Sequence, residues 1–212
     1  MKRKKMMTIN SNLNKLFLLM LLIFTSQQIL AVDTSRPDKL VSSLTDKIVK
    51  QLKKEKPRLD KNPSQVNSFA RKLARQVKPH WDIVRTSAYI IGKPWRSASK
   101  SDKKTFMREF ENLLIRTYSK ALLKYADQKI EMLPYRHKPS KKQVKVKSRF
   151  IQSGGSPVNI TYSLYKHKSK GWRVYDVTVG GFNLISNFKG QYQPIVKKSD
   201  LGGLNKVLKS KS

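Results

Sequence analysis

Three histidines, thirteen carboxylates and no cysteine are what this 212-residue chain offers for chemistry. His80, His137 and His167 are scattered, and none has a second histidine or an acid at a spacing such as His-Glu-x-x-His, so the pattern gives no metal site. Glu109 and Glu111 illustrate the chance carboxylate pairs. Two apart on a helix, they do not face one another, and both are expected in solvent. Ser153-Gly154-Gly155-Ser156 is rich in glycine but sits between two strand patterns, lacks a lysine and reads as a turn rather than a phosphate loop. No Gly-x-Ser-x-Gly elbow is present. The lack of cysteine excludes thiol catalysis, disulfides and Cys-based zinc sites. These residues give no enzyme, and no cofactor is called for.

Two polar features remain. Asp176 stands within an otherwise apolar strand, WRVYDVTV, and a buried carboxylate needs donors or a cation. It either pairs internally, with a Lys, an Arg or a helix N-terminus, or it meets a ligand headgroup or a docking partner. The second feature is charge. Forty-six Lys and Arg against 13 Asp and Glu give a net +33, which must lie on the surface and draws the chain towards polyanions. Tyr162, Tyr165, Trp172 and Tyr175, interleaved with Lys166 and Arg173, could stack nucleic-acid bases on a sheet. An exported basic protein binding nucleic acid or a surface is therefore one reading.

The elements that must position these residues fall into two runs. Pro37 opens a helix with Leu40, Val41, Leu44, Ile48 and Leu52 on one face. Lys53 to Pro63, with two prolines, is expected to be a charged linker. Asn62-Pro63 begins a second helix, ended by Pro79, and residues 80–92 form a third, stopping at Gly92. Ser99 to Asp102 fits a capping pattern and opens the longest helix, to about Ala126. Period two then takes over: a short strand at Ile130 and Met132, then Val144 to Phe150, Val158 to Tyr165 and Trp172 to Val179, joined by short turns as an antiparallel meander. Two helical segments, about 182–197 and 201–209, finish the chain.

Helices first and a meander later make an α+β protein, with helices packed on a curved sheet. Plain alternation puts Val174 on one face of the last strand and Tyr175, Val177 and Val179 on the other. That strand and the broad stripe of the long helix offer more apolar surface than a thin two-layer core must hide. Either the core is thicker, or the surplus faces something else.

Lys2, Arg3, Lys4, Lys5 and Lys15 precede the apolar run Leu16 to Phe24, and Ala31 is a small residue at the end. This is the order of a secretory signal cleaved near Ala31, leaving residues 32–212 as one domain. The run is short for a bilayer core of about 30 Å, which disfavours an uncleaved anchor.

From Trp172 to Gln193, WRVYDVTVGGFNLISNFKGQYQ, the chain resembles the MlaC family, the periplasmic lipid-carrier component of the Mla (toluene-tolerance) ABC transport system. The resemblance extends to Asp82, Ile91-Gly92, Trp95, Phe106, Phe110, Leu113, Leu114 and Tyr118, and to the opening at Pro37 to Val41. Gly180, Lys189 and Asn183 depart from the family pattern, where an acid, Arg and Ser are usual. The resemblance implies a cone like that of nuclear transport factors, with a deep apolar cavity for phospholipid tails. It implies an outer-membrane lipoprotein with its porin and an inner-membrane ABC permease complex as partners, phospholipid as cargo, and the periplasm as compartment. On that footing the lining is expected from Phe110, Leu114, Tyr118 and Leu122 of the long helix. Phe150, Ile160, Tyr162, Val174, Tyr175, Val177 and Val179 are expected from the sheet. Phe182, Leu184 and Ile185 are expected to form a flank.

Overall fold

The computed structural model describes residues 32–124, 126–136, 140–151 and 155–210. The expected signal segment, His137, Ser153-Gly154 and Tyr125 lie outside them, as does the side chain of Leu122. Val32–Ser212 forms one compact unit.

Helix α1 spans Pro37–Lys61, with Pro37 in its first turn, where the missing N–H costs nothing. It runs straight through the segment expected to be a linker, with Pro57 inside it. A proline there forfeits a hydrogen bond and costs about 3 kcal/mol. Leu52 and Leu59, buried on either side of it in a cluster with Val66, Phe69, Leu73 and Leu123, offset that cost. A 3₁₀ turn at Pro63–Gln65 leads into α2, Val66–Val77, and a second at Lys78–His80 ends it. Helix α3 is Ile83–Ile91, capped by the Asp82 carboxylate, which accepts from Arg85 N at 2.9 Å. It stops at Gly92, whose φ of +76° only glycine adopts freely. The short α4, Pro94–Ser97, precedes α5, Lys100–Lys124. As the capping pattern predicts, Ser99 Oγ accepts from Asp102 N at 2.9 Å.

Five strands then form one antiparallel sheet in sequence order: β1 Lys129–Met132, β2 Gln143–Ile151, β3 Val158–His167, β4 Gly171–Val179 and β5 Phe182–Asn183. Helix α6, Leu184–Ser210, is interrupted at Ser199 and Asp200, so it makes the two segments expected from the pattern.

Helix α1 lays Leu40, Val41 and Leu44 on one end of the sheet, over Val146, Leu164, Trp172 and Val174. Helices α4, α5 and α6 build a separate aromatic core from Trp95, Phe106, Phe110, Phe188 and Tyr192, closed by Ile90 and Ile91 of α3. There Phe106 stacks on Phe110 at 5.6 Å and Phe188 meets Phe110 edge-on at 4.9 Å, pairings that each contribute about 0.5–1.5 kcal/mol beyond buried area. Among the described residues the buried side chains thus gather in three clusters.

Candidate functional site

Strand register decides which side chains share a face. Ile130 pairs with Phe150, Ser148 with Ile160, Val146 with Tyr162 and Val144 with Leu164. Between β3 and β4 the register shifts: Ser163 faces Asp176 while the next residue, Leu164, faces Val174. Tyr175 is the extra residue of a β-bulge, and a bulge turns the side chains beyond it over. Val174 therefore lies on the same face as Val177 and Val179, which pair with Tyr162 and Ile160. This corrects the expectation of an apolar strand with two greasy sides. Its excess is concentrated on one face.

That face is most deeply buried at one end. Val146, Leu164, Trp172 and Val174 are sealed beneath α1. Further along, Ile130, Phe150, Val158, Ile160, Tyr162 and Val177 are half-buried. At its rim Val179 is 45% exposed and Phe182 42%. On α5, Phe110, Leu114 and Tyr118 follow at helical spacing, and Tyr118 is 41% exposed. The Tyr192 hydroxyl, buried and beside Tyr118, is pushed up to about 12, chiefly by desolvation. An apolar row left half-buried on one sheet face, with exposed apolar side chains at its rim, is a candidate binding surface.

Of the expected lining, Phe150, Ile160, Tyr162, Val177 and Val179 share this face of the sheet (the trough), with Phe182 at the rim, while on α5 Leu114 is partly buried against the aromatic core and Tyr118 is exposed. Leu184 and Ile185 are partly buried against the aromatic core at the start of α6. Three expectations need correction. Tyr175, as the bulge residue, turns to the opposite face and packs on Tyr89 and Tyr165, with ring centroids 5.7 and 6.1 Å away. Phe110 is fully buried in the aromatic core and backs the wall. Val174 is on the right face but sealed under α1. Leu122 lies on α5, but its side chain is outside the described set. Ile130 and Val158 were missed as lining. The pairing of Ile130 with Phe150 and of Phe150 with Val158 puts them there, and alternation in their strands carries that signal once register is known.

The polar candidates resolve internally. Asp176 is buried and accepts from Val177 N at 3.0 Å, Asn183 Nδ2 at 2.6 Å and Ile185 N at 3.2 Å. It thereby holds the first turn of α6 to β4, the structural role among the two open readings. Asn183 caps the same helix, accepting from Ser186 N at 2.8 Å. Glu109 is buried, not solvated as expected, and pairs with Arg108 at 2.8 Å, while Glu111 meets Lys78 at 3.1 Å. No group of three or more metal-binding side chains occurs among the described residues. Nor do the aromatics of the nucleic-acid reading form a stacking platform: Trp172 is buried under α1, Tyr162 faces the trough, and Tyr165 is buried on the other side.

Fold and site define an α+β protein whose curved antiparallel sheet carries an apolar face, sealed under α1 at one end and half-buried beyond it. The family model described as MlaC protein matches residues 42–210, and the chain belongs to that family. It is 20% identical over 176 residues to the intermembrane phospholipid transport system binding protein MlaC of Haemophilus influenzae, covering 82% of this chain and 81% of that one. It is 25% identical over 181 residues to the toluene tolerance protein ttg2D of Pseudomonas putida, covering 85% and 82%. A solved phospholipid-binding protein from Ralstonia solanacearum, in complex with a phospholipid, superposes with a TM-score of 0.72 at 26% identity, over 83% of this chain and 96% of the other.

Proposed function

We propose that this chain is a phospholipid-binding transport protein that shelters acyl tails against the unsealed half of its sheet. One observation carries the reading: a row of half-buried apolar side chains from β1 to β4, left open in a fold shared with a relative solved with a phospholipid. Burying a methylene contributes about 0.8 kcal/mol, so a two-chain lipid leaves a bilayer only for a surface of comparable apolarity. Phe150, Ile160, Tyr162, Val177 and Val179 supply that surface from the sheet, with Ile130 and Val158 beside them. Leu114 and Tyr118 of α5 complete the lining, and Phe182, Leu184 and Ile185 flank the opening. The chain needs no catalytic residue and no cofactor; phospholipid is its cargo. It works in the periplasm after removal of residues 1–31, passing lipid between an outer-membrane lipoprotein with its porin and an inner-membrane ABC permease complex.

Organic extraction of the protein purified from the periplasm, followed by mass spectrometry, tests the reading. Phospholipid near one molecule per chain is expected. Protein that carries none, and takes up none from phospholipid vesicles, refutes it.

A further inference from the structure

Opposite the trough, on the other side of the sheet, lies a separate cleft of about 560 Å³. Residues Trp81 to Tyr89 form one wall, and Tyr165, His167, Lys170 and Arg173 of the β3–β4 hairpin form the other. Arg85, Lys170 and Arg173 bring three cations to it. Its one carboxylate, Asp82, is already engaged: it accepts the Tyr165 hydroxyl, caps α3 and stands 4.0 Å from Arg85 Nε. The Arg85 guanidinium lies 3.6 Å from the centre of the Tyr165 ring, which fixes its orientation, and Arg173 donates to Trp81 O at 2.9 Å. Each guanidinium has five N–H donors, so these contacts leave others for a ligand. Val84, 53% exposed, and Tyr89, 44% exposed, also line it.

We propose that this cleft docks an acidic peptide segment of a partner protein, with carboxylates on Arg85, Lys170 and Arg173 and an apolar side chain against Val84 and Tyr89. Charge complementarity favours an acidic occupant, and Arg and Tyr are the residue types that anchor protein interfaces. A small anion would use the cations and leave Val84 and Tyr89 wet. A flat membrane surface would not enter a concave site. The inference does not require the lipid reading, because cleft and trough lie on opposite faces of the sheet. A docked partner leaves the trough open.

The probe is a capped hexapeptide, Glu-Phe-Glu-Glu-Phe-Glu, titrated into the isotope-labelled protein and followed by amide NMR shifts. Its all-Gln counterpart, inorganic phosphate and phosphatidylglycerol vesicles are the comparison arms. Shifts should centre on Val84, Arg85, Tyr89, Lys170 and Arg173. The exposed-site variants Lys170→Gln and Tyr89→Ala should each weaken the peptide at least fivefold, and together at least tenfold, with the phospholipid content unchanged. Equal binding of the all-Gln peptide, shifts spread over the whole basic surface, phosphate alone reproducing the pattern, or no loss in either variant would overturn the proposal.

Discussion

Replacing Val177 by Glu puts a carboxylate in the middle of the trough, where the cross-strand partner is Tyr162 and the diagonal neighbours are Ile160 and Leu164. Val177 is only half-buried, so in the protein without lipid the new carboxylate reaches water and the fold survives. A docked acyl chain removes that water. The carboxylate must then take up a proton, which at pH 7 costs about 1.36 kcal/mol for each of roughly 2.7 pH units above its ordinary range, or about 4 kcal/mol. That corresponds to roughly a five-hundredfold loss of lipid affinity. Extraction and mass spectrometry of the purified Val177→Glu protein should find it nearly empty, with a wild-type circular dichroism spectrum. Loading from vesicles should recover as pH falls towards 5, whereas Val177→Gln should show no such recovery. A folded Val177→Glu protein carrying wild-type amounts of phospholipid at pH 7 refutes the assignment of this face.

Further predictions address the structure around the trough. Tyr192, pushed up to about 12, should stay un-ionised in an ultraviolet titration after exposed tyrosines have ionised near pH 10. Since its pKa is raised by folding, its contribution is complete below about pH 10 and is lost as pH rises towards 12; Tyr192→Phe should flatten the alkaline fall in Tm. His80 is held below its usual range by burial, then by Arg173 and Lys47. Its folded form resists protonation, so stability is present above the ordinary histidine range near pH 6.5 and falls as pH drops below it; His80→Gln should reduce that loss in thermal melts. Asp176→Ala strips the buried acceptor from Asn183 and Ile185 and should cost about 2–4 kcal/mol in urea unfolding. Gly92→Ala should destabilise by about 1–2 kcal/mol through its positive φ. Its Cβ would also stand 2.7 Å from Gln193 Nε2, so adding Gln193→Ala should restore only the part due to that contact.

Much of the architecture was legible because it is local. Pro37, the Ser99–Asp102 cap and Gly92 mark helix ends by backbone chemistry that depends on a few neighbouring residues, and the structure has all three where the pattern puts them. Pro57 misled because the penalty it carries is local, whereas the burial of Leu52 and Leu59 that outweighs it comes from α2, folded back across the next turn, and from Leu123 of α5, distant in sequence. Lining residues were legible by type, and only partly by direction. Period two assigns a face within one strand, yet a single inserted residue reverses it, and nothing in WRVYDVTV marks Tyr175 as that residue. The cleft between α3 and the β3–β4 hairpin was invisible for a related reason. Arg85 and Tyr165 are distant in sequence and meet where Asp82 N donates to Val174 O at 2.8 Å and Thr86 Oγ1 to Tyr175 O, laying the start of α3 along β4.

The bulge explains how one strand serves two surfaces. Without it, β4 would alternate strictly, and Val174 and Val177 could not both face the trough. With it, Val174 lies under α1 and Val177 and Val179 extend the apolar row, while Tyr175 and Asp176 turn the other way. Asp176 there anchors α6, and Tyr175 packs with Tyr89 and Tyr165 beside the basic cleft. Thr86 Oγ1 donates to Tyr175 O at 2.6 Å, tying α3 to the bulge itself. β4 is thus held from one side by α3 at Tyr175 and from its far end by α6 at Asp176, so the bulge sits between the two helices' attachments.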